Sequence, residues 1–247
     1  MTTINDLSKS LELWPYRLRG IDNLIHNSPL FKKKLESFKI GIVDTGIDRY
    51  HPCFAHAKIV AKDFSGSKNP MDELGHGTHC AAILVGNDKE RYIGLTPNSK
   101  LYAAKVLGRH SKGPKFTEKA ISEAIHWLTK NKVDIILITM GRKKDSTIVA
   151  NQINLAINLG ILIIASGGNH GGSLPLFPSS LPQVICVSAL GKNGIPLPEC
   201  YTGGLVDFFS PGETIISAGK SSTYCEMSGS SQAATIFCGL IAQTLES

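Results

Sequence analysis

Four residues of this 247-residue chain have the chemistry to attack a carbonyl carbon, provided the fold gathers them. The stretch "EMSGSSQAAT" at 226–235 sets three serines around one glycine. Such a cluster is ordinarily a turn, yet a serine hydroxyl becomes a nucleophile once an adjacent base takes its proton. His76, in "ELGHGTHCAAIL", is a base of suitable strength, and Gly75 and Gly77 let other backbone approach closely. Taken alone it is equally a capping or core histidine. Asp44 ends the apolar run in "IVDTGID", where burying an unpaired carboxylate is costly; alone it is equally a turn-former before Gly46. Asn169, in "IIASGGNHGG", offers an amide donor suited to a developing oxyanion and is, by itself, an ordinary turn asparagine.

Other pairings carry less. His79 follows His76 by three positions, but no acidic or cysteine partner shares a ligand-like spacing and no H-E-x-x-H motif is present, so no metal site is expected. Cys80 lies four positions after His76, as a Cys–His nucleophile pair would, but near neighbours on one helix aim poorly at each other. The six cysteines (53, 80, 186, 200, 225 and 238) form no C-x-x-C pair and fit no zinc template. Free, buried thiols are expected, since no secretion signal is evident; Cys200 and Cys225 are the pair to examine for a disulfide.

The elements that must position these residues alternate. "FKIGIVDTG", "SKLYAAKVLG", "VDIILITMG", "ILIIASGG", "QVICVSAL" and "VDFFSPG" read as strands, mostly apolar on both faces. Between or after them, "GTHCAAILVGN", "TEKAISEAIHWLTKNK", "TIVANQINLAINLG" and "SSQAATIFCGLIAQTL" read as helices. The second has Thr117 as its N-cap and an apolar stripe at Ala120, Ile121, Ala124, Ile125 and Leu128. "LFKKKLESFK" reads as a short charged helix. Such alternation gives an α/β fold with a mostly parallel central sheet and helices on both faces. Ligands then bind beyond the carboxyl ends of the strands, where Asp44, Asn169 and the "TMG" turn lie.

Hydrophobic residues make up 42% and charged residues 19%, which excludes a disordered chain. The net charge of +6 is modest, no nucleic-acid motif accompanies it, and nucleic-acid binding is not expected. No apolar run approaches the roughly 18 residues of a membrane span, and the mixed-charge opening "MTTINDLSKSLELWPYRLRG" is not a signal peptide. A cytoplasmic protein without membrane association is therefore expected.

In chain order the four residues run Asp44, His76, Asn169, Ser231, and Asp…His…Ser is the triad order of subtilisin. "VDTGID", "HGTHCAAI", "ASGGNHG" and "GSSQAATIFCG" resemble the Asp, His, oxyanion-Asn and Ser motifs of the subtilisin-like serine proteases. The last is usually written G-T-S-M-A-x-P. "GLTPNSKLYAAKVLG" resembles the family's G-V-A-P…L-Y-A-x-K-V-L strand. The likeness runs from about residue 38 to the C-terminus. It implies a three-layer subtilisin-like fold in one catalytic domain at 38–247, preceded by an N-terminal arm at 1–37 with short helices. It implies a serine endopeptidase with Ser231 as nucleophile, His76 as base, Asp44 as its orienter and Asn169 as oxyanion donor, working without a cofactor. Narrow specificity is expected, as in maturation of a peptide or partner protein; the alternative is a peptide-binding pseudoprotease on the same fold.

The departures from the family pattern set further expectations. Thr235 stands at the usual proline and Gln232 at a common methionine. Cys53 follows "HP" where an acidic calcium ligand is usual, and "GNDKERYIG" carries Lys89 and Arg91 in the usual calcium loop, so calcium is not expected. No folding propeptide is expected in residues 1–38, and the chain is read as a minimal enzyme or a piece of a longer one. The resemblance places the substrate between "LGRHSKGPKF" and "ITMGRKK", with Gly113, Phe116, Thr139, Met140, Gly141 and Arg142 in contact. Arg109, His110, Lys112, Lys115, Arg142, Lys143 and Lys144 would favour acidic residues upstream of the cut. Ser166, Gly167 and Gly168 would wall the pocket for the residue before the cut, with His170 at its rim and Leu176 near its floor, making it shallow.

Overall fold

Two separate apolar cores sandwich one sheet, because successive strand residues point to opposite faces. The computed structural model describes residues 38–88, 92–108 and 117–246, so the short charged helix read in the sequence lies outside the described residues. The strands are β1 (Lys39–Asp44), β2 (Lys58–Asp63), β3 (Lys100–Lys105), β4 (Ile135–Ile138), β5 (Leu162–Ser166), β6 (Ile185–Leu190), β7 (Phe208–Pro211), β8 (Ile215–Ala218) and β9 (Tyr224–Met227). The helices are α1 (His76–Val85), α2 (Glu118–Lys130), α3 (Thr147–Asn158) and α4 (Ser230–Glu246). Seven strands form a parallel sheet in the order β2-β3-β1-β4-β5-β6-β7. The β8–β9 pair is a separate antiparallel hairpin.

Ile40 and Ile42 of β1, with Ile135 and Leu137 of β4, face a core that includes Cys80 and Leu84 of α1 and Phe237 and Cys238 of α4. Val43, Ile136 and Ile138 face the opposite core, against Ile121, Ile125 and Leu128 of α2 and Val149 and Ile153 of α3. The α/β fold with helices on both faces is the one the alternating pattern predicts. The α2 stripe is buried at all five expected positions, and Thr117 Oγ1 accepts from Ala120 N at 3.0 Å as its N-cap.

The sequence reading passes over β2 and the β8–β9 hairpin. In β2, "KIVAKD", burial alternates between exposed and half-buried, as fits an edge strand that only β3 pairs. The hairpin strands are four residues each, so their periodicity is too short to read. They matter to the site because β9 leads straight into the turn before α4.

Candidate active site

Asp44 is the last residue of β1, and the chain leaves it along Thr45 into a tight turn. Its carboxylate is 1% exposed and fully engaged. Thr45 N donates to Oδ1 at 2.6 Å, the Thr139 hydroxyl donates to Oδ2, and His76 Nδ1 lies 2.8 Å from Oδ1 and 3.0 Å from Oδ2. Burial works to raise this carboxyl, but the His76 charge and the bonds from His76, Thr139 and Thr45 outweigh it and hold the acid below its ordinary range.

His76 opens α1. Burial works to lower its imidazole, yet the Asp44 charge, the Asp44 hydrogen bond and the Asp72 charge together raise it above the ordinary histidine value. With Nδ1 held by Asp44 and 31% of the side chain exposed, the ring is presented to solvent with Nδ1 already occupied. Gly77 is what permits this approach, since a Cβ there would overlap Gly46 O and sit 3.1 Å from Asp44 Oδ1.

Asp72 is a site residue that sequence reading misses. It is 8% exposed, and its two oxygens take five donors. Oδ1 accepts from Thr45 Oγ1 at 2.8 Å, Leu74 N at 2.9 Å and Gly75 N at 2.8 Å. Oδ2 accepts from Thr78 N at 2.9 Å and Thr78 Oγ1 at 2.8 Å. Thr45 Oγ1 in turn accepts from Gly77 N at 2.8 Å. One carboxylate thus ties the loop after Asp44 to the first turn of the His76 helix. Its only sequence signal is an acid in the loop just before a helix.

Ser231 is the second residue of α4, is 6% exposed, and donates to Thr139 O at 2.8 Å. No hydrogen bond joins it to His76 among the described residues. Thr139 therefore serves both sides, its hydroxyl on Asp44 and its carbonyl on Ser231. The backbone N–H groups at the start of a helix have no intrahelical partner, so the Ser231 N–H is available to an anion. Ser228 Oγ accepts from Thr214 N at 2.8 Å, and Ser230 Oγ accepts from Gly168 N at 3.1 Å. Both hydroxyls thus tie the turn before Ser231 to backbone from other segments of the fold.

Asn169 lies just beyond β5, and its amide orientation is set by its oxygen. Oδ1 accepts from Ser230 N at 2.8 Å, Ser230 Oγ at 2.8 Å and Cys200 Sγ at 3.3 Å. Nδ2 is left over the turn before Ser231, with no acceptor among the described residues. Gly229 makes space for it: φ there is +142°, and a Cβ would fall 2.5 Å from Nδ2.

Leu176 packs against both Gly141 and Gly168, two of the residues read as substrate contacts. A Cβ at Gly141 would lie 2.5 Å from Leu176 Cβ and 3.2 Å from its Cδ1. A Cβ at Gly168 would lie 2.8 Å from Leu176 Cγ and 2.9 Å from its Cδ1. Leu176 N also donates to Gly167 O at 3.0 Å, fixing this residue against the wall. The exposed His170 ring lies along Gly168 and Gly172, and Met140 packs on the α2–α3 core. Arg142 is already committed: its N–H and C=O both pair with Phe177 at 2.9 Å, and its guanidinium meets Glu118 at 2.6 Å. Lys143 and Lys144 remain exposed. Gly113, Phe116, Arg109, His110, Lys112 and Lys115 lie outside the described residues, as do Lys89 and Arg91.

His79 does not face the triad: it is fully buried, and its Nε2 lies 3.0 Å from Ile215 O and 3.3 Å from Cys225 O, bonding the hairpin. Burial pushes its pKa down to about 4. Cys80 is nearer to the site than its helix spacing suggests, because Asp44 arrives from another element; Asp44, His76 and Cys80 each place a ligand-type atom within 4.8 Å of the others. The thiol is buried and held well above its ordinary pKa, first by burial and then by the Asp44 charge, so it is a poor nucleophile. Cys200 and Cys225 are both free thiols rather than a disulfide.

Comparison with known proteins bears on the family and the fold. The profile of the Subtilase family matches residues 36–247. The chain is 33% identical over 214 residues to subtilisin DY of Bacillus licheniformis, covering 84% of this chain and 76% of that protein. It is 30% identical over 205 residues to thermitase of Thermoactinomyces vulgaris, covering 82% of this chain and 72% of that protein. A thermophilic serine proteinase of Bacillus sp. (strain AK1) is 32% identical over 83% of this chain, which spans about half (51%) of that longer protein. Among solved structures, the prenylagaramide maturation protease PagA superposes with a TM-score of 0.75 at 25% identity, over 93% of this chain and 81% of PagA.

Proposed function

The chain belongs to the subtilase family, and on that premise of serine endopeptidase chemistry we propose that it cuts through an acyl-enzyme formed on Ser231, with narrow specificity. The carrying observation is the buried Asp44 bonded to His76 Nδ1 beside a serine that starts a helix. His76 Nε2 takes the Ser231 proton as Oγ attacks the scissile carbonyl, then returns it to the leaving amine. Asp44 fixes the tautomer and stabilises the imidazolium. Asn169 Nδ2 and the Ser231 N–H donate to the oxyanion, with the α4 dipole beneath it. Before attack, the Ser231 hydroxyl leaves Thr139 O for His76, a reorientation in keeping with catalytic hydrogen bonds that tighten only on substrate binding.

Leu176 supports the narrow specificity. Its isobutyl group occupies the space between the two glycine walls, so a small residue before the cut fits and a large aromatic one does not. The likeness to a maturation protease supports a single peptide or partner protein as substrate. A peptide-binding pseudoprotease draws on one observation, the absence of a bond from Ser231 to His76. Cleavage of a peptide library by the purified protein tests both. Small residues before the cut are expected, with Leu176→Gly admitting Phe and Tyr; binding without any cleavage overturns the reading.

A further inference from the structure

The hairpin that precedes Ser231 carries a cation to the edge of the site. The β8–β9 turn is closed by Gly219 N donating to Thr223 O at 2.6 Å. Thr223 donates twice to Lys220 O, from N at 3.1 Å and from Oγ1 at 2.7 Å. Between them Ser221 and Ser222 both adopt left-handed backbone, at φ +54° and +59°. Five residues therefore hold one shape through their own backbone. His79 anchors the hairpin behind it, bonded to Ile215 O and Cys225 O.

This shape lays Lys220 across the mouth of α1. A Cβ at Gly75 would lie 3.0 Å from Lys220 Cγ, 3.6 Å from Cε and 3.8 Å from Cδ. Gly75 immediately precedes His76, so the lysine stem passes over the residue next to the catalytic histidine. Lys220 is exposed, and among the described residues no carboxylate comes within ion-pair distance of its ammonium. The acids closest in sequence to Gly75 have other partners: Asp72 takes five donors, and Glu73 lies 3.8 Å from Lys105 Nζ.

The two sides of the site are distinguishable. The acyl half of a substrate occupies the slot of Gly141, Gly168 and Leu176. The leaving amine receives its proton from His76 and so departs on the side of the α1 mouth. A peptide advances about 3.3–3.6 Å per residue, which puts the Lys220 ammonium within reach of the first few residues after the cut. We propose that Lys220 recognises a carboxylate on the leaving side of the scissile bond, either an acidic side chain or the C-terminal carboxylate of a short leaving segment. This rests on the protease reading and concerns the opposite end of the substrate from Lys143 and Lys144.

Two peptides with one acyl sequence, carrying Glu or Lys at the second position after the cut, test it. The wild type is expected to favour the Glu peptide in kcat/KM by about two- to fivefold, the range of an exposed ion pair. Lys220→Glu is expected to invert that ratio, Lys220→Met to bring it near one, and added salt to shrink the wild-type preference. No wild-type preference, or the same ratio in wild type and Lys220→Glu, overturns the proposal. A p-nitroanilide with the same acyl sequence has no residues after the cut. If the wild type fails to turn over even that substrate, it is the protease reading that falls.

Discussion

The Asp44–His76 half of the site and the Ser231–Asn169 half are built by different means. The first is wired by charge. Two buried carboxylates, Asp44 and Asp72, collect donors from the β1 loop, from Thr139 and from the first turn of α1, and His76 is already bonded to Asp44. The second is placed by packing and backbone. Ser231 sits at a helix start with its hydroxyl on Thr139 O, and among the described residues the Asn169 side chain is held through its oxygen. The Asp44–His76 bond is thus already made in the free protein, while the second half still has one hydroxyl to turn and one amide N–H to engage. Buried charge needs full compensation at all times; a nucleophile and an oxyanion donor need only be poised.

The contrast is sharpest in the variants of each half. Asp44→Asn should lower kcat by about 10⁴, as loss of the orienting acid does where the wrong tautomer results, measured as steady-state turnover of an optimised peptide. Asn169→Ala should lower kcat by about 10²–10³ with KM little changed, the cost of one oxyanion donor. Asp72→Asn tests the wiring itself. Misplaced catalytic groups cost up to about 10²-fold, so a loss of about 10–10² is expected. The pH profile should move with it. Activity needs neutral His76, whose raised pKa puts the acid limb above the ordinary histidine value of 6.5. Removing the Asp72 charge should shift that limb to lower pH, and an unmoved limb would show Asp72 to be structural only.

Smaller effects belong to the supporting groups. Cys200→Ala should cost about twofold in kcat, in keeping with about 0.5 kcal/mol for one weak hydrogen bond, and Cys200→Ser should restore it. His79 binds no proton in the fold until pH falls to about 4, whereas the unfolded chain takes one near 6.5. Stability from this group is therefore complete above about 6.5 and lost as pH falls toward 4. Thermal melts across that interval should show the decline, and His79→Gln should flatten it.

Much of this was legible in the chain. The parallel sheet, the two-faced helices and the α2 stripe follow from periodicity, and the four motifs lead to Asp44, His76, Asn169 and Ser231. The rest depends on contacts between distant elements. Asp72 reads as a loop acid until Thr45 is seen beside it. Thr139 reads as a substrate contact until its hydroxyl is seen on Asp44. Cys80 and His79 look alike on one helix, yet one lies under the triad and the other bonds a hairpin whose strands are too short to carry a pattern. Leu176 was named from the resemblance, but its packing against both Gly141 and Gly168 could not be read from the chain.

Fluorophosphonate labelling of the wild-type protein, followed by peptide mapping, tests the account most directly. A single adduct on Ser231 is predicted, absent in Ser231→Ala and strongly slowed in Asp44→Asn. No adduct on the wild type, or an adduct retained in Ser231→Ala, would contradict it.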